Sequence, residues 1–486
     1  MPNAIQGLKP ELVWKYFAEI ARIPRGSKNE AAIAQYVVNT AKGFGLQAKQ
    51  DRFGNVVVKK PASPGREGRT MVCLQGHLDM VCEKNADKIH DFTKDPIEIV
   101  RRGNFLMADG TTLGADNGIA VSTNLAIMED KTLQHGPLEF LFTVYEETGL
   151  TGASNLQSNF LESKTLMNLD SEEEGALYVG CSGGRDTLGT WKIPLELASP
   201  QLAPGKLVVT GLRGGHSGLE IDKGRGNAIK IINRILIALD EVGMRLSSID
   251  GGNKRNAIPR ECVAIVYIPK KKWNEARDIV KKWEKVIQAE FGSVDKGLSI
   301  TLTEVKQKGK VIKKAVHEKI SRTIAALPHG VIRMSADIPG LVETSTNVAV
   351  INTTKNAIVL ATSQRSSVAS ELDELCQSVW AVFELGGVTP RGIEQTDGYP
   401  GWKPNLGSAI LKLAKSSYKS LYGKEPQVKA IHAGLECGII GERFPGMDMV
   451  SFGPTLEGVH SPDEKIYIDT VEKFWNFLLT ILKNIN

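Results

Sequence analysis

Residues 75–81, Gln-Gly-His77-Leu-Asp79-Met80-Val81, decide the fold of this chain. The run ahead of them, Thr70-Met-Val-Cys-Leu74, is short, apolar and bounded by polar residues, as a buried strand is. His77 and Asp79 then fall just past a strand's C-terminal end, where open α/β sheets bind their ligands. Two residues apart in extended chain, they point to one side. A metal-binding histidine commonly has a carboxylate behind it that fixes the ring. A His-x-Asp pair is also a common surface network, so the pair alone leaves both readings open.

Working outward, the next landmark is Leu113-Gly-Ala-Asp116-Asn-Gly-Ile-Ala120, followed by an apolar helical pattern. Asp116 at or near that helix's start is either a plain cap or a carboxylate whose two oxygens can each hold a cation. The strand-like run 138–144 ends in Tyr145-Glu146-Glu147-Thr148-Gly149. Adjacent acids raise each other's pKa and repel unless a cation sits beside them, although a solvated loop also tolerates them. The apolar run 165–169 ends in Asp170-Ser-Glu-Glu-Glu174. His77, Asp116, Glu147 and Asp170 thus each follow a strand or open a helix, positions that converge at one edge of a parallel sheet. Two hard-to-borderline cations would neutralise such a cluster.

The bulk numbers set limits. At 486 residues the chain exceeds one ordinary core, so two or more domains are expected. With 42% hydrophobic and 24% charged residues and a formal charge of +5 spread among acids, it reads as globular, without a nucleic-acid or anionic-membrane partner. The N-terminus Met1-Pro-Asn-Ala-Ile-Gln does not read as a signal peptide, and no apolar run approaches the ~20 residues of a spanning helix. The cysteines are Cys73, Cys82, Cys181, Cys262, Cys376 and Cys437, with no C-x-x-C pair, which suits reduced thiols and a cytoplasmic location.

Three segments are expected. In residues 1–185, Pro10 opens a helix, Ser27-Lys-Asn-Glu30 has the form of a capping box, and 46–60 reads as a hairpin around Phe53-Gly54-Asn55. Residues 186–398 begin with strand 206–212, helix 227–242, strands 245–249 and 261–268, helix 273–291 and strand 298–303. That β-α-β-β-α-β series is the ferredoxin-like split pattern, and the elements from 314 to 383 suggest a second, diverged copy after it. Here Arg213-Gly-Gly-His216-Ser-Gly218 displays a histidine on a glycine-rich loop, Asn256 precedes a strand, and Arg365 follows one. Each of these could be structural; Arg365 could also clamp a carboxylate bidentately. Residues 399–486 return to α/β elements that rejoin the first sheet, so His460 in Gly458-Val-His-Ser-Pro-Asp-Glu464 arrives at the acidic edge and the middle segment is an insertion.

Assembled in order, GHLDMV, GADNG, EETG, LDSEE, GGHSG and GVHSPDE resemble the M20-type di-zinc peptidase family over essentially the full length. GADNG, the stretch His432-Ala-Gly434-Leu-Glu-Cys-Gly438 and a large insert are similar to its dipeptidase branch. The resemblance implies a mixed-sheet α/β catalytic domain flanked by helices, plus an α+β lid built from ferredoxin-like units. It implies metal-dependent hydrolysis of unblocked dipeptides, Xaa-His among them, with two zinc ions per chain that cobalt or manganese can replace. Asp116 would bridge the ions, with His77 and Asp170 completing one site and Glu147 and His460 the other. Asp79 would orient His77, Glu146 would be the general base, and His216 would reach the scissile carbonyl. Asn256, Arg365 and the backbone near Gly434 would contact substrate. An aminoacylase or carboxypeptidase acting on N-acylated amino acids is the alternative within the family, and the lid either serves one chain or also forms a homodimer.

Overall fold

The computed structural model describes residues 3–306 and 309–486. The chain forms two compact units: one runs to Gly180 and resumes over Trp402–Ala430 and Leu435–Asn486, the other comprises Cys181–Gly401 and Ile431–Gly434. The expected cut after 185 falls inside the continuous strand Gly183–Lys192, and the expected cut after 398 precedes Tyr399, whose N–H donates to the Gly184 carbonyl at 2.9 Å. Backbone pairing therefore moves both boundaries outward.

The first unit is built on an eight-stranded sheet. Its order is Gln47–Gln50, Val56–Lys60, Leu138–Thr143, Val72–His77, Thr165–Asn168, Asp448–Ser451, Ala176–Cys181, Gln427–Ile431. The central four, Leu138–Thr143 through Asp448–Ser451, run parallel. All residues of Val72–His77 and of Leu138–Thr143 are buried, as expected for strands covered on both faces. The His77 strand runs three residues further than its apolar core, so His77 ends it instead of following it. Helix Ala115–Glu129 is buried almost all round and touches the sheet through Gly76 and Ala120. The C-terminal strand Asp448–Ser451 does rejoin this sheet, paired with Thr165–Asn168.

Two local expectations change. Helix Ala31–Gly43 starts without a side-chain cap: the Glu30 carboxylate accepts the Tyr145 N–H at 3.0 Å, and the Ser27 hydroxyl donates to Asp79 at 2.8 Å. The groups that looked like a capping box are committed to tertiary bonds. Arg365 lies within strand Ala357–Ser366, not beyond it.

The second unit carries a nine-stranded antiparallel sheet. Four strands are ordered Ser299–Glu304, Leu202–Thr210, Cys262–Pro269, Arg245–Gly251, which is 4-1-3-2 in chain order, the ferredoxin-like arrangement. The adjoining four are Val342–Thr353, Ala357–Ser366, Gly183–Lys192 and Ile393–Gln395. With helices Lys314–Ala326 and Ala369–Leu385 they form a second split unit whose first strand precedes the whole first copy. The copies are nested, not consecutive. Linear reading missed this because 183–192 is separated from its partner strand by over a hundred residues. The two halves of this sheet join through Gly251 and Ile351, and the ninth strand, Gly330–Met334, pairs with Val342–Thr353.

Candidate metal centre

Strand polarity gathers the acids. His77 ends one parallel strand, Glu146 and Glu147 follow its neighbour Leu138–Thr143, and Asp170 follows Thr165–Asn168 on its other side. Asp116 sits in the first turn of the buried helix with an extended ψ of 111° and caps nothing. His460 occupies the loop of the hairpin Leu456–Glu457 and Lys465–Tyr467. Tyr145 and His460 adopt left-handed φ values of 53° and 61°, uncommon for residues with a Cβ and concentrated at functional sites.

Two groups of ligand atoms result. Nε2 of His77 lies 3.0 Å from Asp116 Oδ1 and 3.3 Å from Asp170 Oδ1. Nε2 of His460 lies 3.1 Å from Asp116 Oδ2 and 3.0 Å from Glu147 Oε2. Donor atoms of His77, Asp116 and Asp170, and of Asp116, Glu147 and His460, fall within 4.8 Å of one another. Glu146 reaches the same cluster beside His77 and Glu147. Asp79 lies behind: its Oδ1 is 3.4 Å from His77 Nδ1 and accepts the Glu146 N–H at 3.0 Å, while Oδ2 accepts the Glu147 N–H at 3.2 Å.

The electrostatics follow from burial. Burial would lower the His77 imidazole, but Asp170, Asp116 and Asp79 outweigh it and push its pKa well up. His460 is pushed up to about 11 by the hydrogen bonds it donates to Asp116 and Glu147. Burial raises Asp170 to about 6 and holds Glu146 well above the usual carboxylate range, with Asp170, Glu436 and Glu147 adding to it. The site thus demands positive charge. Divalent cations fit it: imidazole Nε2 and carboxylate oxygens suit a borderline metal, and Glu147 Oε1 is buried with no hydrogen-bond partner.

Several contributors had no distinct mark in the sequence. Glu436 is buried, accepts from Gln75 Nε2 and Thr143 Oγ1 at 2.6 Å each, and is raised to about 7 by burial. Arg25 and Glu464 hold backbone groups of the ligand loops. The sequence shows a carboxylate or a guanidinium, but not that its partners are main-chain atoms far along the chain.

The remaining candidates belong to the second unit. Gly215–His216 pairs with Ala257–Ile258, and the Ser217 N–H donates to the Asn256 carbonyl at 2.9 Å. His216 Nδ1 accepts N–H groups of Gly218 and Leu219 at 3.2 and 3.1 Å, which leaves Nε2–H as the donor. Burial, then Arg365, lowers its pKa to about 4, so the ring is neutral. Asn256, Arg365 and Tyr399 line one cavity, and Arg365 Nη1 donates to the Tyr399 hydroxyl at 2.7 Å. A Cβ on Gly434 would stand 2.9 Å from the same tyrosine ring.

Known proteins resemble this chain over nearly its full length. Residues 73–484 match the profile of peptidase family M20/M25/M40. The cytosol non-specific dipeptidase of Escherichia coli is 41% identical over 99% of both chains. The crystal structure of aminoacylhistidine dipeptidase from Vibrio alginolyticus superposes with a TM-score of 0.92 at 41% identity, covering 99% of this chain and 98% of that one. Aminopeptidase PepT from Bacillus cereus shares the fold with a TM-score of 0.57 at 16% identity, each chain covered to 98%. By its motifs, its sheet and these matches, the chain belongs to peptidase family M20/M25/M40.

Proposed function

We propose that the protein is a metal-dependent dipeptidase that hydrolyses unblocked dipeptides, Xaa-His among them, with two zinc ions. The observation that carries this reading is the sharing of Asp116 between two ligand groups, each with its own histidine and second carboxylate. The names of the Escherichia coli and Vibrio relatives support the substrate class.

His77, Asp116 and Asp170 would hold one ion, and Asp116, Glu147 and His460 would hold the other. When bound, such ions supply Lewis acidity and bring the pKa of a coordinated water down towards about 7. Glu146 takes a proton from the attacking water and delivers it to the leaving amine; its burial, which holds the carboxyl well above the usual carboxylate range, suits a group that must both accept and give up a proton. Asp79 orients His77 and, through the N–H groups of Glu146 and Glu147, fixes where both acids start. The neutral His216 donates Nε2–H to the scissile carbonyl oxygen. Arg365 or Asn256 takes the terminal carboxylate, and the backbone near Gly434 contacts substrate.

Elemental analysis of the purified protein beside a dipeptide panel tests the reading. Two ions per chain and turnover of an Xaa-His dipeptide, with its N-acetylated form much slower, are expected. Equal rates on the two forms would replace it with an aminoacylase or carboxypeptidase. Among the described residues no helix is long and apolar enough to cross a membrane.

A further inference from the structure

Glu464 donates nothing to the ligand groups, yet it is 2% exposed. Its carboxylate accepts four consecutive backbone N–H groups. Oε2 takes those of Leu113 at 2.7 Å and Gly114 at 3.0 Å, and Oε1 those of Ala115 at 2.7 Å and Asp116 at 3.2 Å. These residues lead into and include the shared carboxylate, while Glu464 itself lies on the His460 loop. Arg25, 3% exposed, does the complementary work. Its Nη1 donates to the carbonyls of Leu78 and Asp79 at 3.0 Å each, and Nη2 to that of Gly114. Gly114 is therefore held from both sides, its N–H by the acid and its carbonyl by the base. The guanidinium lies so close to this turn that a Cβ at Gly118 would stand 2.7 Å from Nη2, which accounts for a glycine there.

A buried carboxylate is stable only when its oxygens are satisfied, and a buried guanidinium needs its fork filled. Both conditions are met here by backbone of two ligand segments, 78–79 and 113–116. We propose that Arg25 and Glu464 are positioning residues for metal binding. Arg25 ties the His77–Asp79 loop to the Asp116 turn, and Glu464 ties that turn to the His460 loop. Together they aim the two oxygens of Asp116 at separate histidines, so their loss weakens both ions at once. The inference rests on the two-ion reading above.

The test is calorimetric titration of Zn2+ into metal-free full-length protein, for the wild type, Glu464→Gln and Arg25→Lys, with far-UV circular dichroism of each. Glu464→Gln keeps the volume but turns an NH2 group towards two N–H donors. Arg25→Lys keeps the charge but loses the planar fork. Both dissociation constants are expected to rise, by about 10–100-fold in Glu464→Gln and about tenfold in Arg25→Lys, with native dichroism. Affinities within about twofold of wild type in folded variants, whatever their melting temperatures, would reduce the pair to a brace of the fold. Should Glu464→Gln not fold, Arg25→Lys decides by the same criterion. Wild-type protein that binds fewer than two ions overturns the two-ion reading itself, a result visible before any variant is compared.

Discussion

Asp116 presents its two carboxylate oxygens to two different histidines, Oδ1 3.0 Å from His77 Nε2 and Oδ2 3.1 Å from His460 Nε2. An amide of the same shape keeps one acceptor and no charge, and so serves one ion at best. Asp116→Asn is expected to leave at most one ion per chain by elemental analysis and to lower kcat/KM by roughly 100-fold or more. Two tightly held ions in this variant would remove the shared role.

Glu146 has a separate duty. Glu146→Gln keeps size and leaves both ligand groups intact. It is expected to bind metal as the wild type does and to lose about 10²–10⁴ in kcat, the usual range for removing a general base. Single-turnover rates on a chromogenic dipeptide beside metal analysis check this. Loss of metal instead would make Glu146 a ligand.

Gly76, ahead of His77, faces the buried helix. A Cβ there would stand 2.7 Å from the Ala120 Cβ and closer still to the Asn117 side-chain oxygen, which accepts the His77 N–H. Neither neighbour can retreat without moving helix or strand. Gly76→Ala is expected to destabilise the protein by about 1–3 kcal/mol in urea unfolding, the usual cost of overpacking. An unchanged urea midpoint would mean that the contact relaxes freely.

His432, 6% exposed, lies 2.7 Å through Nε2 from the Ser345 hydroxyl. Burial, then Arg365 and His216, lowers its pKa to about 3. The unfolded chain binds this proton near pH ~6.5, so between there and pH ~3 the unfolded state holds more protons. The stability contribution is complete above pH ~6.5 and declines as pH falls, by about 1.4 kcal/mol per pH unit. Between pH 7 and 5 the wild type should lose about 2 kcal/mol more than His432→Gln, read from urea midpoints at both pH values. Parallel losses in the two proteins would show that His432 is protonated in the folded state.

Much of the centre was legible in the chain itself. His77, Asp116, Glu147 and Asp170 stand beside runs whose periodicity marks them as strands or a helix, and parallel strands send their C-terminal ends to one edge. Ser27 and Glu30 misled, because a capping box and a pair of tertiary acceptors use the same residue types. Strand Gly183–Lys192 misled differently: its pattern is that of any strand, and its partner Ala357–Ser366 is remote.

What the sequence by itself determined is the class of chemistry: imidazoles and carboxylates at strand ends, in an order that matches one family. These are local properties, written in hydrophobic period and residue type. Only the tertiary structure decided that Glu464 holds four main-chain N–H groups and that one ferredoxin-like unit is nested within another. Those facts depend on distances between residues far apart in the chain, and backbone donors and acceptors are the same at every position, so no residue pattern announces them.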